Sequence, residues 1–313
     1  MQSFAIQHQH RIEAALAKGE AARSALAASW ARSALLHGLD PARGRTDARV
    51  SQEEMRIARD RHRPLLRAAA PHLDHLIQVV GDLGACVVLA DTDGLALDRR
   101  GHPRHDDDFR AAGLWTGANW SEAVVGTNGI GTCLAEGKAV TIHRDQHFLV
   151  GNTALTCSSA PVHDAAGNLT AVVDVSMSVS RLPDAVVALI AQTVAEAAHR
   201  VEADIFRAAF PKARIVLVPR PDGASGGFLA VDVDDLVIGA TRAARLTLGL
   251  SGDPAILPQP LNDLLDIAMH DRIEDAERAV LTRALARNAG NISAAARALG
   301  VSRATLHRKL ARG

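Results

Sequence analysis

The sequence predicts an α+β protein that ends in a separate helical module, and three observations predict it. Short runs such as "ACVVLADTDG", "AVTIH", "TCSSAPVHDAAG" and "TAVVDVSM" are rich in β-formers and punctuated by Asp-Gly or Ala-Gly turns, the pattern of short strands. Helix-forming stretches flank these runs, the longest from about Pro183 to Ala209. From Arg278 onward the charges are Arg278, Arg283, Arg287, Arg297, Arg303, Arg308, Lys309 and Arg312 with no acid, although 35 Lys and Arg balance 35 Asp and Glu overall. The C-terminal block is a local cation on an anionic body.

The elements follow in order. "RIEAALAKGEAARSALAASWARSALLHGLDPAR" reads as a helix stopped by Gly38 and Pro41. Ser51, followed by Glu53 and Glu54, starts a second helix that runs to Val80, with Leu65, Leu66, Leu73, Leu76 and Ile77 on its buried face. In "NWSEAVVGTNGIGTCLAEGKAVTIH", Thr127 is the expected cap of a short helix over Ile130 to Leu134, closed by Gly137 before the strand Ala139 to His143. A phosphate-binding loop does not fit there, because five residues separate Gly131 from Gly137 and Ala139 stands where Ser or Thr would hold magnesium. "GGFLAVDVDDLVIGATRAARLTLGL" reads as one hairpin-like pair and one helix, and Ser251 to Pro260 as a linker.

The terminal block reads as three helices. Asp275 to Asn288 is amphipathic, with Val280, Leu281, Ala284 and Leu285 on one side. Asn291 caps a second helix whose inner face is Ile292, Ala295, Ala296 and Leu299. Gly300 supplies a tight turn, Ser302 caps the third helix, and Leu306 and Leu310 face inward. Small Ala295 and Ala296 let two steeply crossed helices approach closely, as in a helix-turn-helix. The outward face then presents Arg303, Thr305, His307, Arg308 and Arg312, a set suited to a DNA groove, with Asn291 and Ser293 at a helix N-terminus suited to phosphate.

The segment "GNISAAARALGVSRATLHRKL" resembles the C-terminal DNA-binding helices of Fis and of bacterial enhancer-binding regulators. That resemblance implies a homodimer on a palindromic operator in double-stranded DNA, with contacts from Asn291, Ser293, Ser302, Arg303, Thr305, Arg308 and Lys309. "AASWARSALLHGLDP", "NWSEAVVGTNGIGTCLAEGKAVTIH", "HFL" and "LTCSSAPVHDAAGNLTAVVDVSM" together resemble the leader and GAF sensory domain of acetoin-catabolism-type regulators. The stretch from Gly226 to Leu250 is similar to a PAS-like segment of some of them. The implied organisation is a helical leader (1–55), a GAF-like sensor of antiparallel sheet and flanking helices (56–210), a PAS-like segment with linker (211–272), and a Fis-type helix-turn-helix (273–313).

Members of this group usually carry an AAA+ ATPase between sensor and DNA-binding helices, where this chain has only about sixty residues, too few for such a domain. No Walker A pattern or GAFTGA element occurs in the sequence, so ATP-driven activation of sigma-54 polymerase is not expected. Regulation would proceed through occupancy or bending of promoter DNA, or through contact with RNA polymerase.

By analogy with GAF pockets, a small-molecule effector would be lined by Trp120, Asn128, Ile130, His143, His147, Phe148, Cys157 and Ser158. The same residues also suit a plain core with satisfied polar groups. His143, His147 and Cys157 offer metal-ligand chemistry, but a strand-to-loop placement gives them no shared helical face, and neither a metal nor a cofactor is expected. Cys86, Cys133 and Cys157 are an odd count without paired spacing, which favours reduced thiols in the cytoplasm. They also leave open redox sensing, or a thiol enzyme of the free methionine sulfoxide reductase kind. A third reading is an architectural DNA-bending protein. No catalytic nucleophile with a base is evident and the chain is not expected to be an enzyme. The start lacks an apolar signal core, and no apolar run approaches the roughly 20 residues needed to cross a bilayer, so a soluble protein is expected.

Overall fold

In the computed structural model, described for residues 2–42, 49–178, 182–221, 223, 225–250, 258–267 and 273–310, the chain divides into two units, 1–258 and 259–313. The first unit is built on strands β1 (Ala85–Asp91), β2 (Ala96–Gly101), β3 (Val140–His143), β4 (Thr156–His163) and β5 (Leu169–Met177), which form an antiparallel sheet in the order β2-β1-β5-β4-β3. The α+β class is therefore what the turn-punctuated strands predict.

Helices cover both faces of this sheet. α1 (Gln2–Ala17) and α2 (Ala25–Ala31) form the leader, α3 (Gln52–Arg61) and α4 (Arg63–Val80) precede β1, and α5 (Asp106–Ala111), α6 (Glu122–Val125) and α7 (Gly129–Glu136) lie between β2 and β3. The long α8 (Asp184–Ala209) follows β5. Leu65, Ala69, Leu73, Leu76 and Val80 recur at helical spacing along α4 and pack with Ile190, Val194 and Val201 of α8 against Val87, Leu89, Val173 and Val175. The other face packs Ile12 and Trp30 of the leader with Phe109, Leu114, Trp120, Ile130 and Phe148 over Cys86, Val88 and Val172. Burying each large apolar side chain contributes about 1.5–3 kcal/mol, so two such layers supply most of the driving force.

Several local expectations are corrected. The expected leader helix is interrupted: α1 ends before Gly19, at φ 63°, Ser24 caps α2, and α2 runs into a π-helical turn over Arg32–Leu36. The single helix expected from Ser51 to Val80 breaks at His62, because Pro64 has no amide hydrogen for the Asp60 carbonyl. Asn128, not Thr127, caps α7, its side chain accepting from the Gly131 amide. Strand β2, unforeseen in the charged run "ALDRRG", pairs with β1 from Cys86 to Ala90 across an Asp-Gly turn.

After α8, strands β6 (Arg214–Val218), β7 (Gly227–Val231) and β8 (Leu236–Ala240) pair antiparallel in order, followed by α9 (Arg242–Thr247). The hairpin and helix read from the sequence are β7, β8 and α9, with β6 an added edge. Most of the expected linker, 251–257, lies outside the described residues, as does Arg312.

The second unit holds α10 (Leu261–Leu264) and then α11 (Ile273–Arg287), α12 (Ile292–Ala298) and α13 (Arg303–Leu310). Asn291 caps α12 through the Ala294 amide and Ser302 accepts from the Thr305 amide at the start of α13. Ala289 and Gly290 adopt φ 49° and 80° between α11 and α12, and Gly300 adopts φ 67° between α12 and α13. Ala295 and Leu306 are fully buried, with Leu281, Ala284 and Ala296 nearly so. No described helix is long and apolar enough to cross a membrane.

Candidate DNA-binding helices and sensor interior

The terminal helices sort their side chains cleanly. Leu306 points into the three-helix core, while Arg303, His307 and Arg308 are exposed and their side chains make no hydrogen bond or ion pair with another described residue. Ser293 and Arg297 of α12 are exposed as well. The remaining predicted contacts already have work in the fold: Asn291 and Ser302 are caps, the Thr305 hydroxyl lies 2.8 Å from Ser302, and Lys309 is ion-paired to Glu277 of α11. Lys309 must exchange that carboxylate for any phosphate it meets.

The sensor interior behaves differently. Asn128 donates to the Trp120 and Gly126 carbonyls at 2.9 and 2.8 Å while accepting from Gly131, so its amide is consumed by the turn. The Trp120 indole donates to the Gly113 carbonyl at 3.1 Å. Trp120, Ile130 and Phe148 are core. His143 and Ser158 alternate onto the opposite face from Cys157, where they meet Thr156 and Thr141 at 3.0 and 3.3 Å. The eight predicted lining residues therefore do not converge: His143 and Ser158 are corrected to the α8 side of the sheet.

His147 and Cys157 do meet, at 3.4 Å. The Arg144 carbonyl, 2.8 Å from His147 Nδ1, can only accept, which places the ring proton on Nδ1 and leaves Nε2 to accept from the thiol. Full burial depresses His147 to about 4, so the ring is neutral near pH 7. Cys157 Sγ also lies 3.1 Å from the Ser176 hydroxyl, which donates at 2.6 Å to Asp174, and Ser159 donates to the other Asp174 oxygen at 2.5 Å. Burial lifts the Asp174 carboxyl to about 6 in spite of these two donors. Burial also pushes the thiols of Cys86, Cys133 and Cys157 up, away from thiolate character. Among the described residues no cluster of His, Cys, Asp and Glu is arranged to hold a metal ion.

Sequence reasoning missed three further polar features. Asp174, Ser159 and Ser176 form a buried floor on the sheet, roofed by the start of α7, where a β-carbon on Gly129 would sit 2.5 Å from Ser159 Oγ and 2.8 Å from Asp174 Oδ1. Arg32 of the leader grips buried Glu122 at 2.7 and 3.0 Å, and Ser29 donates to the same carboxylate at 2.5 Å. Arg99 of β2 reaches over the face shared with Cys86, with only 8% of its side chain exposed. The "DVS" of β5, facing "SS" of β4, was the available signal for the first; nothing in the sequence marked Arg99 or Glu122.

With this geometry in hand, comparison with known proteins assigns the family, because residues 5–200 match the family described as "MimR, N-terminal domain". The chain belongs to the MimR N-terminal-domain family. Residues 272–313 match "Bacterial regulatory protein, Fis family". Relatives of the MimR-type chain include the acetoin catabolism regulatory protein of Cupriavidus necator, 35% identical over 78% of this chain and 38% of that protein. The propane 2-monooxygenase operon transcriptional activator MimR of Mycolicibacterium smegmatis is 32% identical over 46% of this chain and 24% of its own length. This chain thus spans well under half the length of these curated relatives. The crystal structure of the Escherichia coli DhaR(N)–DhaL complex contains a chain sharing the sensor fold, with a TM-score of 0.53 at 16% identity over 76% of this chain and 80% of that one.

Proposed function

We propose that this protein is a dimeric, sequence-specific DNA-binding transcriptional regulator whose MimR-type sensor answers a small metabolite. The observation that carries the reading is the set of exposed Arg303, His307 and Arg308 side chains, unpaired among the described residues, on a helix whose opposite side is packed. Such a helix enters a major groove with guanidinium groups free for guanine edges and phosphates. Ser293 and the start of α12, capped by Asn291, would hold backbone phosphate, with Ser302, Thr305 and Lys309 as flanking contacts. A lone helix of this kind has a small footprint, so two copies would read a palindrome with recognition helices about 34 Å apart.

The names of the relatives support control of an operon for catabolism of a small organic compound. The short segment between sensor and terminal helices supports regulation by promoter occupancy, bending or contact with RNA polymerase in the cytoplasm, without ATP hydrolysis. Thiol catalysis is the weaker reading, since all three cysteines are buried in their neutral form. Genome-wide mapping of bound sites, followed by footprinting of the full chain, tests the proposal. Protection of a palindrome upstream of a catabolic operon is expected; protection equal on random duplex would replace this reading with that of an architectural DNA-bending protein.

A further inference from the structure

The buried guanidinium of Arg99 is incompletely used. Its Nη1 bonds Asp106 at 2.8 Å, but among the described residues Nε and Nη2, although buried, make no hydrogen bond of ordinary geometry, and the nearby Cys86 thiol, held neutral by its burial, gives the cation no balancing charge. Those two nitrogens share one edge of the planar group, the edge that offers two parallel N–H bonds to the two oxygens of a carboxylate. The group is held in place on several sides. Its carbon lies 4.3 Å from the Trp115 ring centre and 5.5 Å from that of Phe109, and it rests on Gly101, where a β-carbon would come within 2.5 Å of Nη2. A cation so enclosed, with its bidentate edge unsatisfied, is a preorganised receptor for a planar anion.

We propose that the Nε and Nη2 edge of Arg99 binds the carboxylate of a small organic monoacid, whose apolar body packs against the aromatic wall of Phe109 and Trp115. This names the chemical class of the effector that the regulator reading requires, and rests on that reading for its biological meaning. Charge selects the class. Asp106 already balances part of the Arg99 charge, and neighbouring Arg110, stacked 4.1 Å from Trp115, is exposed at the rim. One negative charge fits this balance, whereas a phosphate dianion would bury an excess charge. The apolar wall favours a hydrocarbon body over a polyol.

The test is calorimetric titration of the full chain with butyrate and benzoate, with their neutral isosteres butyramide and benzamide, and with inorganic phosphate. At least one carboxylate should bind, and its amide should bind at least about 10-fold more weakly, as loss of a charge-assisted pair requires. Arg99→Lys, which keeps the charge and loses the paired edge, should weaken that carboxylate by about 10-fold or more. Because Arg99 is packed, the partly exposed Asp106→Asn keeps the test independent of folding: removing the competing carboxylate should tighten binding by about 3-fold or more. Equal binding of acid and amide, preference for phosphate, binding of no probe, or weaker binding in Asp106→Asn would each overturn the assignment. Footprints made on the same preparation separate the two proposals, since an operator protected without carboxylate binding sinks only this one, and absence of any protected operator sinks the regulator reading.

Discussion

The sensor interior and the terminal helices treat polar side chains in opposite ways. In the sensor, Asn128, Trp120, His147 and Asp174 are buried and tied to backbone or to one another, so their chemistry holds the fold. In the terminal unit the most buried core residues are Ala and Leu, backed by Ile292 and Val301, and the side chains of Arg303, His307 and Arg308 stay outside that core without a partner among the described residues. A polar residue in the first region is structural unless a valence is left open; one in the second is available unless a cap or ion pair claims it. The contrast locates function by unsatisfied groups rather than by residue type.

That comparison can be broken most severely at Gly129. Gly129→Ala would drive a methyl group into Ser159, Cys157 and Asp174, and should destabilise the sensor by about 3 kcal/mol, seen as a lower denaturant midpoint with the terminal helices' intrinsic DNA contacts unchanged. A wild-type midpoint would show that the polar floor is loosely packed.

The next effect, of similar size, lies in pH. Asp174, raised to about 6, gives the folded state more bound protons than the unfolded state, so its contribution to stability is full below about pH 4 and is lost as pH rises to 6. His147, depressed to about 4, acts with the opposite sign: its contribution is full above about pH 6.5 and is lost as pH falls to 4. The two slopes oppose each other in the wild type. His147→Gln should expose a stability that falls from pH 4 to 6, and Asp174→Asn one that rises from pH 4 to 6.5, each by up to about 3 kcal/mol in equilibrium unfolding. Identical profiles for the two variants would refute the assignment of either group.

In the terminal unit the expected effects are on DNA. Arg303→Ala should cost about 1–3 kcal/mol on the specific operator and little on random duplex, whereas Lys309→Ala should weaken both and lower the salt slope by about one unit. Equal losses on both duplexes for Arg303→Ala would move that residue to the phosphate class. The smallest effect belongs to Glu277→Gln, which releases Lys309 and should raise affinity for random duplex by no more than about 5-fold, since an exposed pair is worth at most about 1 kcal/mol.

The terminal helices were legible because each signal there is local. Asn291 and Ser302 cap the helices that follow them, Gly300 turns between two of them, and Ala295 and Ala296 are small where helices cross. The strands β1, β4 and β5 and the long α8 were legible from composition alone. The polar floor was not. Val173, Asp174, Val175 and Ser176 alternate as a strand with one wet face would, and it is the packing of the leader, α7, Trp120 and Phe148 on that face that makes it interior. Strand β2 was hidden for a related reason: Arg99 and Arg100, beside Asp98 of the same strand, look like solvated charge until Asp106 of α5 and Asp74 of α4 are brought to them.

The clasp between Arg32 and Glu122 has a practical meaning for anyone dissecting the protein. Cutting the chain near residue 50 would strand a carboxylate that is 5% exposed without its guanidinium and without the Ser29 hydroxyl, a loss of about 3 kcal/mol or more before any apolar contact of Ile12 or Trp30 is counted. The first forty residues are thus one wall of the sensor rather than an appendage, and a shortened sensor would be expected to expose hydrophobic surface and precipitate.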